Sequence, residues 1–265
     1  MDKGFTLVIP LYNKVNACRN TFESVLNNHG SYPFRCIIVD DDSTDGSSEI
    51  GEEYDEKYPE VFTYIKRKHH ERKTPTYARN LGIKLAETEY IGFLDADDEL
   101  CAGFIDRGCT FLDAHPEYNM YGNGFITRTI DENGEIKDTV VTYGLNEINN
   151  FYEYLGANGN SVTFCASVYK TELVKDNLFT NNFCEDTVFK SKYVIKNLPI
   201  YIDNSHYDSI IYNSQNSESS DWNVPRTDLS FNNEIVDIIN REIPKERMNF
   251  YMTCLDNGNV YLESL

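Results

Sequence analysis

Four short apolar runs, separated by three helix-like stretches, fill the first hundred residues, and this alternation limits the chain to few folds. "FTLVIPLY" (5–12), "FRCIIVD" (34–40), "VFTYIKR" (61–67) and "YIGFLDADD" (90–98) read as strands. Between them, "CRNTFESVLNN" places Phe22, Val25 and Leu26 on one helical face, "DGSSEIGEEYDEKY" is a polar helix, and "TYARNLGIKLAE" spaces Ala78, Leu81 and Leu85 by threes and fours. Parallel neighbours need a long crossover to bring the chain back to the same end, so strand–helix–strand repetition predicts an α/β fold with a mostly parallel central sheet flanked by helices. Ligands of such sheets bind beyond the carboxyl ends of the strands. The second and fourth strands both end there in acids.

The fourth strand runs into Asp95, Asp97, Asp98 and Glu99. So many carboxylates repel one another unless solvent, a nearby Lys or Arg, or a divalent cation offsets them. Asp95-Ala96-Asp97 in a turn could share one hard cation with diphosphate oxygens; a solvated strand end is the plainer alternative. Asp41, Ser43, Asp45, Gly46 and Glu52 imitate a calcium-binding EF-hand loop, which makes a non-catalytic calcium-binding module an alternative. The segment before that loop is strand-like rather than helical, and its eighth position is Ser48, which oppose this reading. "KRKHHERK" (66–73) gathers five of the 24 Lys and Arg, either as a solvated loop or as one facing phosphate.

After residue 100 the alternation weakens. A helix ends near Pro116, and residues 120–143 read as a hairpin turning at Glu132-Asn133-Gly134-Glu135. A strand and a short helix occupy 161–177, a helix 184–197, and "IYIDN" and "DSIIYN" read as two strands. Residues 214–228 look like a linker. Beyond them Ile235, Val236, Ile238, Ile239 and Ile243 suggest one amphipathic helix, and Met248, Tyr251, Met252 and Leu255 a second, giving a helical C-terminal tail. The expected division is 1–213 as one domain (1–100 and 101–213 as its halves) and 214–265 as the linker and helical extension.

Hydrophobic residues make up 40% of the 265, enough for a core of this size. A net charge of -19 disfavours broad contact with nucleic acid or anionic lipid. Seven scattered Cys without CxxC spacing fit unpaired thiols in a reducing compartment. No signal-like segment opens the sequence and no apolar run approaches the ~20 residues of a membrane span. The expectation is cytoplasmic.

Taken in order, "VIPLYN", "IVDDDSTDGS", "YARNLGIKLA" and "IGFLDADDEL" resemble the motifs of glycosyltransferase family 2, which has the Rossmann-like GT-A fold. The resemblance is strongest over residues 5–100 and fades beyond about 215. It implies a nucleoside diphosphate sugar donor, of the UDP class, a divalent cofactor (Mn2+ or Mg2+), and transfer to a saccharide or other hydroxyl acceptor with inversion. Residue by residue, it implies that Pro10, Tyr12 and Asn13 line the nucleotide pocket. Asp41 would read the base, Arg79 would hold the acidic pocket or diphosphate, Asp95 would lie by ribose and metal, and Asp97 would ligate the metal. "FCEDTVF" is similar to the family's acceptor-side pair, with Asp186 the catalytic base and Glu185 its partner. His206 is a further candidate metal or diphosphate contact, although a lone His is more often structural. Where many members carry Asn-x-Gly before the Ala-Arg-Asn helix, this chain has "HHERKTPT". A hydroxylated base in DNA is an alternative acceptor, favoured by the basic run and opposed by the net charge.

Overall fold

The computed structural model describes residues 1–28, 30–67, 75–142, 145–149, 164–180 and 185–213. The expected tail at 214–265 lies outside them. In chain order the elements are β1 (Asp2–Leu11), α1 (Cys18–Leu26), β2 (Phe34–Asp40), α2 (Ser47–Lys57), β3 (Phe62–Lys66), α3 (Thr76–Leu85) and β4 (Thr88–Phe93). Then follow β5 (Glu99–Leu100), α4 (Phe104–Ala114), β6 (Met120–Ile130), β7 (Ile136–Val141), β8 (Glu147–Ile148), β9 (Ser167–Lys170), α5 (Thr171–Lys175), α6 (Glu185–Lys196) and β10 (Ile200–Asn213).

One sheet runs in the order β3-β2-β1-β4-β9-β6-β10-β5, with β7 added to β6 and β8 to β10. The first four strands are parallel, as the alternation predicts. β9 then inserts antiparallel between β4 and β6, and β10 returns parallel to β6. In β1, Phe5, Leu7, Val8, Ile9 and Leu11 are fully buried. A central parallel strand is covered on both faces, so its sequence is a continuous apolar run without alternation. Beside β4, Phe93 stacks on Phe164 (ring centroids 4.8 Å apart) and Phe179 on Phe189 (4.1 Å). This aromatic block is the floor beneath the acids that follow β4.

Two elements depart from the sequence expectation. On α3 the buried residues include Ala78, Arg79, Gly82 and Ile83, while Leu85 is exposed and Leu81 half-buried. The buried stripe is rotated because Arg79 points inward and Gly82 lets the helix approach β1. A methyl group at 82 would overlap Val8 Cγ1. Gly82→Ala should therefore cost about 1–3 kcal/mol of stability despite alanine's better helix propensity. Urea unfolding of Gly82→Ala and of Val8→Ala/Gly82→Ala tests this, the double variant regaining part of the loss if the overlap is the cause.

The second departure is β10, one strand where two were expected. Asp203 Oδ1 accepts from Ser205 N (2.8 Å) and Ser205 Oγ (2.5 Å). The strand's register against β6 shifts on either side of Tyr207. The polar stretch at 203–206 thus bulges the strand without ending it. The expected hairpin forms between β6 and β7, with Gly134 at φ 81° in its turn and Asp131 Oδ1 accepting from Asn133 N and Glu135 N at 2.8 Å each.

Candidate active site

The loops after β1, β2 and β4 meet at the carboxyl end of the parallel strands. Pro10 is the penultimate residue of β1, opposite Val39, and Tyr12 and Asn13 follow the strand. Asn13 adopts φ 48°, a left-handed conformation that Asn tolerates better than most residues. Its amide joins two loops: Asn13 N donates to Ser43 Oγ (3.1 Å) and Thr44 N donates to Asn13 Oδ1 (2.9 Å). Asp40, which the sequence reading did not single out, is the buried hub of this wall. It accepts from Ser43 N (2.9 Å), Ser43 Oγ (2.6 Å), Ser48 Oγ (2.5 Å) and Tyr64 OH (2.6 Å). An Asp followed by Ser three residues on, able to accept from both the N–H and the hydroxyl of that Ser, is the local signal that could have revealed it. Asp41 lies next to the end of β1, its N–H donating to Leu11 O, and its buried carboxylate pairs with Arg67 Nε at 3.1 Å.

The EF-hand alternative is not borne out. The loop follows strand β2 and not a helix, Asp41 pairs with Arg67, and both Asp45 oxygens accept from Val15 and Ser47. In the basic run, Lys66 donates to Ser48 and Arg67 pairs with Asp41; residues 68–73 lie outside the described residues. The two described cations of the run are thus engaged within the protein.

Arg79 is the centre of the site. Its side chain is 3% exposed and lies over Phe164 and Phe179, 4.7 and 5.4 Å from their ring centroids. One nitrogen donates to Asp95 Oδ1 (2.6 Å) and the other to Glu185 Oε1 (2.7 Å). Burial works against the guanidinium charge, but Asp95, Glu185 and Asp186 outweigh it and raise its pKa. Burial also pushes the Glu185 carboxyl above the usual range, Arg79 pulling it back and Asp186 adding to the rise. A single buried cation therefore joins the acidic turn after β4 to the first residue of α6, which lies 106 positions beyond Arg79 itself.

Asp186, next on α6, is 37% exposed in its side chain, with Lys190 Nζ 3.6 Å from its carboxylate. Acids in a helix's first turn interact favourably with its dipole, so Glu185 and Asp186 suit their place without any ligand. What singles them out is the link to Arg79.

The acidic turn is arranged differently from expectation. Asp97 is turned to Lys14, its Oδ2 2.6 Å from Nζ. Asp95 is instead grouped with Asp98 and Cys165, whose ligand atoms all lie within 4.8 Å of one another. Asp98 accepts from Tyr212 N (3.1 Å) and from the Cys165 thiol (3.5 Å). Burial, with Asp95 and Asp97 adding their repulsion, holds its pKa well above the carboxylate range. Burial likewise raises the pKa of Cys165 well above the usual thiol range, and its S–H is already given to Asp98. The donors that remain are carboxylate oxygens, the set that suits Mg2+ or Mn2+, so the residues fit a hard divalent cation at Asp95 and Asp98. Lys14 gave no local signal in the sequence, because its partner is 83 residues away.

His206 is not brought to this turn. Its Nδ1 lies 2.7 Å from Asp203 Oδ2 and 3.1 Å from Ser205 Oγ, on the bulge of β10. Among the described residues no bond joins it to Asp95 or Asp97, so the expected metal role has no geometric support.

The profile described as "Glycosyl transferase family 2" matches residues 6–176, most of the chain, including Arg79 and the acidic turn after β4. The chain belongs to glycosyl transferase family 2. Among curated relatives, the minor teichoic acid biosynthesis protein GgaB of Bacillus subtilis (strain 168) is 37% identical over 112 residues. That match takes in 42% of this chain but only 12% of GgaB. Among solved structures, TarS 1–349 of S. aureus in complex with UDP-GlcNAc superposes with a TM-score of 0.75 at 19% identity, over 92% of this chain and 69% of that one. The mannosyltransferase PcManGT of Pyrobaculum calidifontis, in complex with GDP-Man and Mn2+, gives 0.59 at 14% identity, over 83% and 59%. At such identities these likenesses speak for the fold, which is GT-A. No helix among the described residues is long and apolar enough to cross a membrane.

Proposed function

We propose that this family 2 glycosyltransferase moves a sugar from a UDP-sugar to a hydroxyl of a saccharide or polyol, with inversion and with help from a divalent cation. The observation that carries the reading is the Asp95–Arg79–Glu185 bridge. It ties the acids beside a donor diphosphate to the acids beside an acceptor, so both substrates are positioned from one rigid point. In support, the TarS structure above was solved with UDP-GlcNAc and the mannosyltransferase with Mn2+.

Pro10, Tyr12 and Asn13 would flank the nucleoside, with Asp41 turned to the base in competition with Arg67. Asp95 and Asp98 would hold Mn2+ or Mg2+, joined by Asp97 once it parts from Lys14. Such a cation supplies positive charge against the negative charge that builds on the leaving nucleoside diphosphate. Asp186 would accept the proton of the acceptor hydroxyl as that oxygen attacks the anomeric carbon from the face opposite the diphosphate. Glu185, held by Arg79, would fix the start of α6 and thereby the position of Asp186. One displacement of this kind inverts the anomeric centre.

Calorimetric titration with UDP tests the donor half. UDP should bind in Mn2+, and EDTA should weaken it by about tenfold, a coupling of ordinary size between two ligands. Equal affinity in Mn2+ and EDTA would remove the cation from the site. A screen of nucleotide sugars for slow hydrolysis would then name the donor.

A further inference from the structure

Lys14 is held unusually well at its base. Its N–H donates to Ser47 Oγ (2.8 Å), and its carbonyl accepts from Ala17 N and Cys18 N at 2.9 Å each. The backbone is thereby pinned where the β1 loop, the start of α1 and the start of α2 come together. From there the side chain reaches across to Asp97, with the two side chains 36% and 32% exposed. The acidic turn is in this way balanced by the chain itself: Arg79 answers Asp95, and Lys14 answers Asp97.

The neighbouring cations are committed elsewhere. Arg79 is buried between two carboxylates, Arg67 is paired with Asp41, and Lys66 donates to Ser48. Lys14 differs because it is itself partly in solvent, 36% exposed against 3% for Arg79, and can therefore leave its carboxylate, a candidate metal ligand, for another anion. A half-exposed ion pair is weak and readily exchanged. A diphosphate joining a nucleoside beside Asn13 to a sugar beside α6 would run past this side chain.

We propose that Lys14 is a tethered counter-ion that couples the divalent cation to the donor diphosphate. It neutralises Asp97 until a cation takes that carboxylate, and its ammonium then bonds a phosphate oxygen. This rests on the donor and cation reading given above. The physical consequence is cooperativity. A cation arriving alone must turn Lys14 out into water, which weakens its binding. A cation arriving with a diphosphate moves Lys14 from one anion to another, and the loss is recovered. Coupling of this kind is reciprocal: the nucleotide strengthens cation binding by the same factor by which the cation strengthens nucleotide binding.

Three titrations of the full chain, read by calorimetry and by the electron paramagnetic resonance signal of free Mn2+, measure that factor: Mn2+ alone, UDP alone, and UDP at saturating Mn2+. In Lys14→Met, Mn2+ alone should bind about 2–5-fold tighter, and UDP at saturating Mn2+ about 5–10-fold weaker, so the coupling factor should fall. Lys14→Arg should keep most of it. The side chain is partly exposed, and a thermal melt verifies that Lys14→Met is folded. A coupling factor in Lys14→Met equal to that of the unmodified protein overturns the proposal. A different result, in which the unmodified protein fails to bind UDP at saturating Mn2+, overturns the donor reading itself.

Discussion

Asp186→Asn should slow sugar transfer by about 10² to 10⁴ while leaving UDP affinity in Mn2+ nearly unchanged, the range expected when a general base is lost. Asn keeps the shape and the hydrogen bonding of Asp but has no carboxylate to take a proton. The proposed donor contacts lie on the loops after β1, β2 and β4, and Glu185 of α6 is joined to them through Arg79. The neighbouring position is the control. Glu185 is spent on Arg79 at 2.7 Å, whereas Asp186 is the more exposed of the two. Glu185→Gln should therefore cost less in transfer than Asp186→Asn and more in thermal stability. Steady-state transfer rates, UDP calorimetry and melting curves for both variants decide it. The reverse order, with Glu185→Gln inactive and Asp186→Asn near normal, would exchange their roles.

Arg79→Met should be the most damaging single substitution at the site, on both stability and transfer. Met fills much of the space over Phe164 and Phe179 but leaves Glu185, 17% exposed, without its counter-charge. Removing one partner of a buried pair typically costs about 3–5 kcal/mol, and the lower end applies because Asp95 is 39% exposed and can be solvated. Chemical denaturation gives the value. Arg79→Met/Glu185→Gln should recover part of it, since the unpaired carboxylate is then gone. No recovery would mean that packing against the two rings, and not charge, sets the cost. Arg79→Lys separates the roles further. One ammonium cannot fork to both carboxylates, so this variant should fold better than Arg79→Met and still transfer poorly.

Much of the architecture was legible because the central strands are covered on both faces and so betray themselves as unbroken apolar runs, as in β1 and β2. Acids at the ends of β2 and β4 pointed to the site because a parallel sheet collects its strand ends in one place. The buried face of α3 was misread for a reason tied to function. Local spacing favoured Leu81 and Leu85, but the helix turns Arg79 inward to serve two distant carboxylates, and Gly82 permits the close approach. β10 was divided in two because a polar stretch normally ends a strand, and only the tertiary pairing with β6 shows that it bulges and continues. The acidic turn drew the expectation of a metal to offset its charge. The fold also supplies Arg79 and Lys14, and neither pairing can be read from neighbours in sequence. Asp98 was noticed as one carboxylate among several. Its grouping with Asp95, in place of Asp97, depends on Tyr212 and Cys165, which arrive from the other half of the chain.

The insertion of β9 between β4 and β6 bears on how the molecule is made. β4 is complete by residue 93, but its free edge is covered only when β9, beginning at Ser167, adds to it. During synthesis the first hundred residues can pair β3, β2, β1 and β4, yet they must wait with Tyr90 and Ile91 at an unpaired strand edge, a template for association with other chains. Closing that edge requires contacts between residues nearly eighty positions apart, which makes the last step of assembly slow relative to the local βαβ pairings. The two halves of the chain are therefore not separate in folding: the strand that covers the edge of the first is delivered by the second.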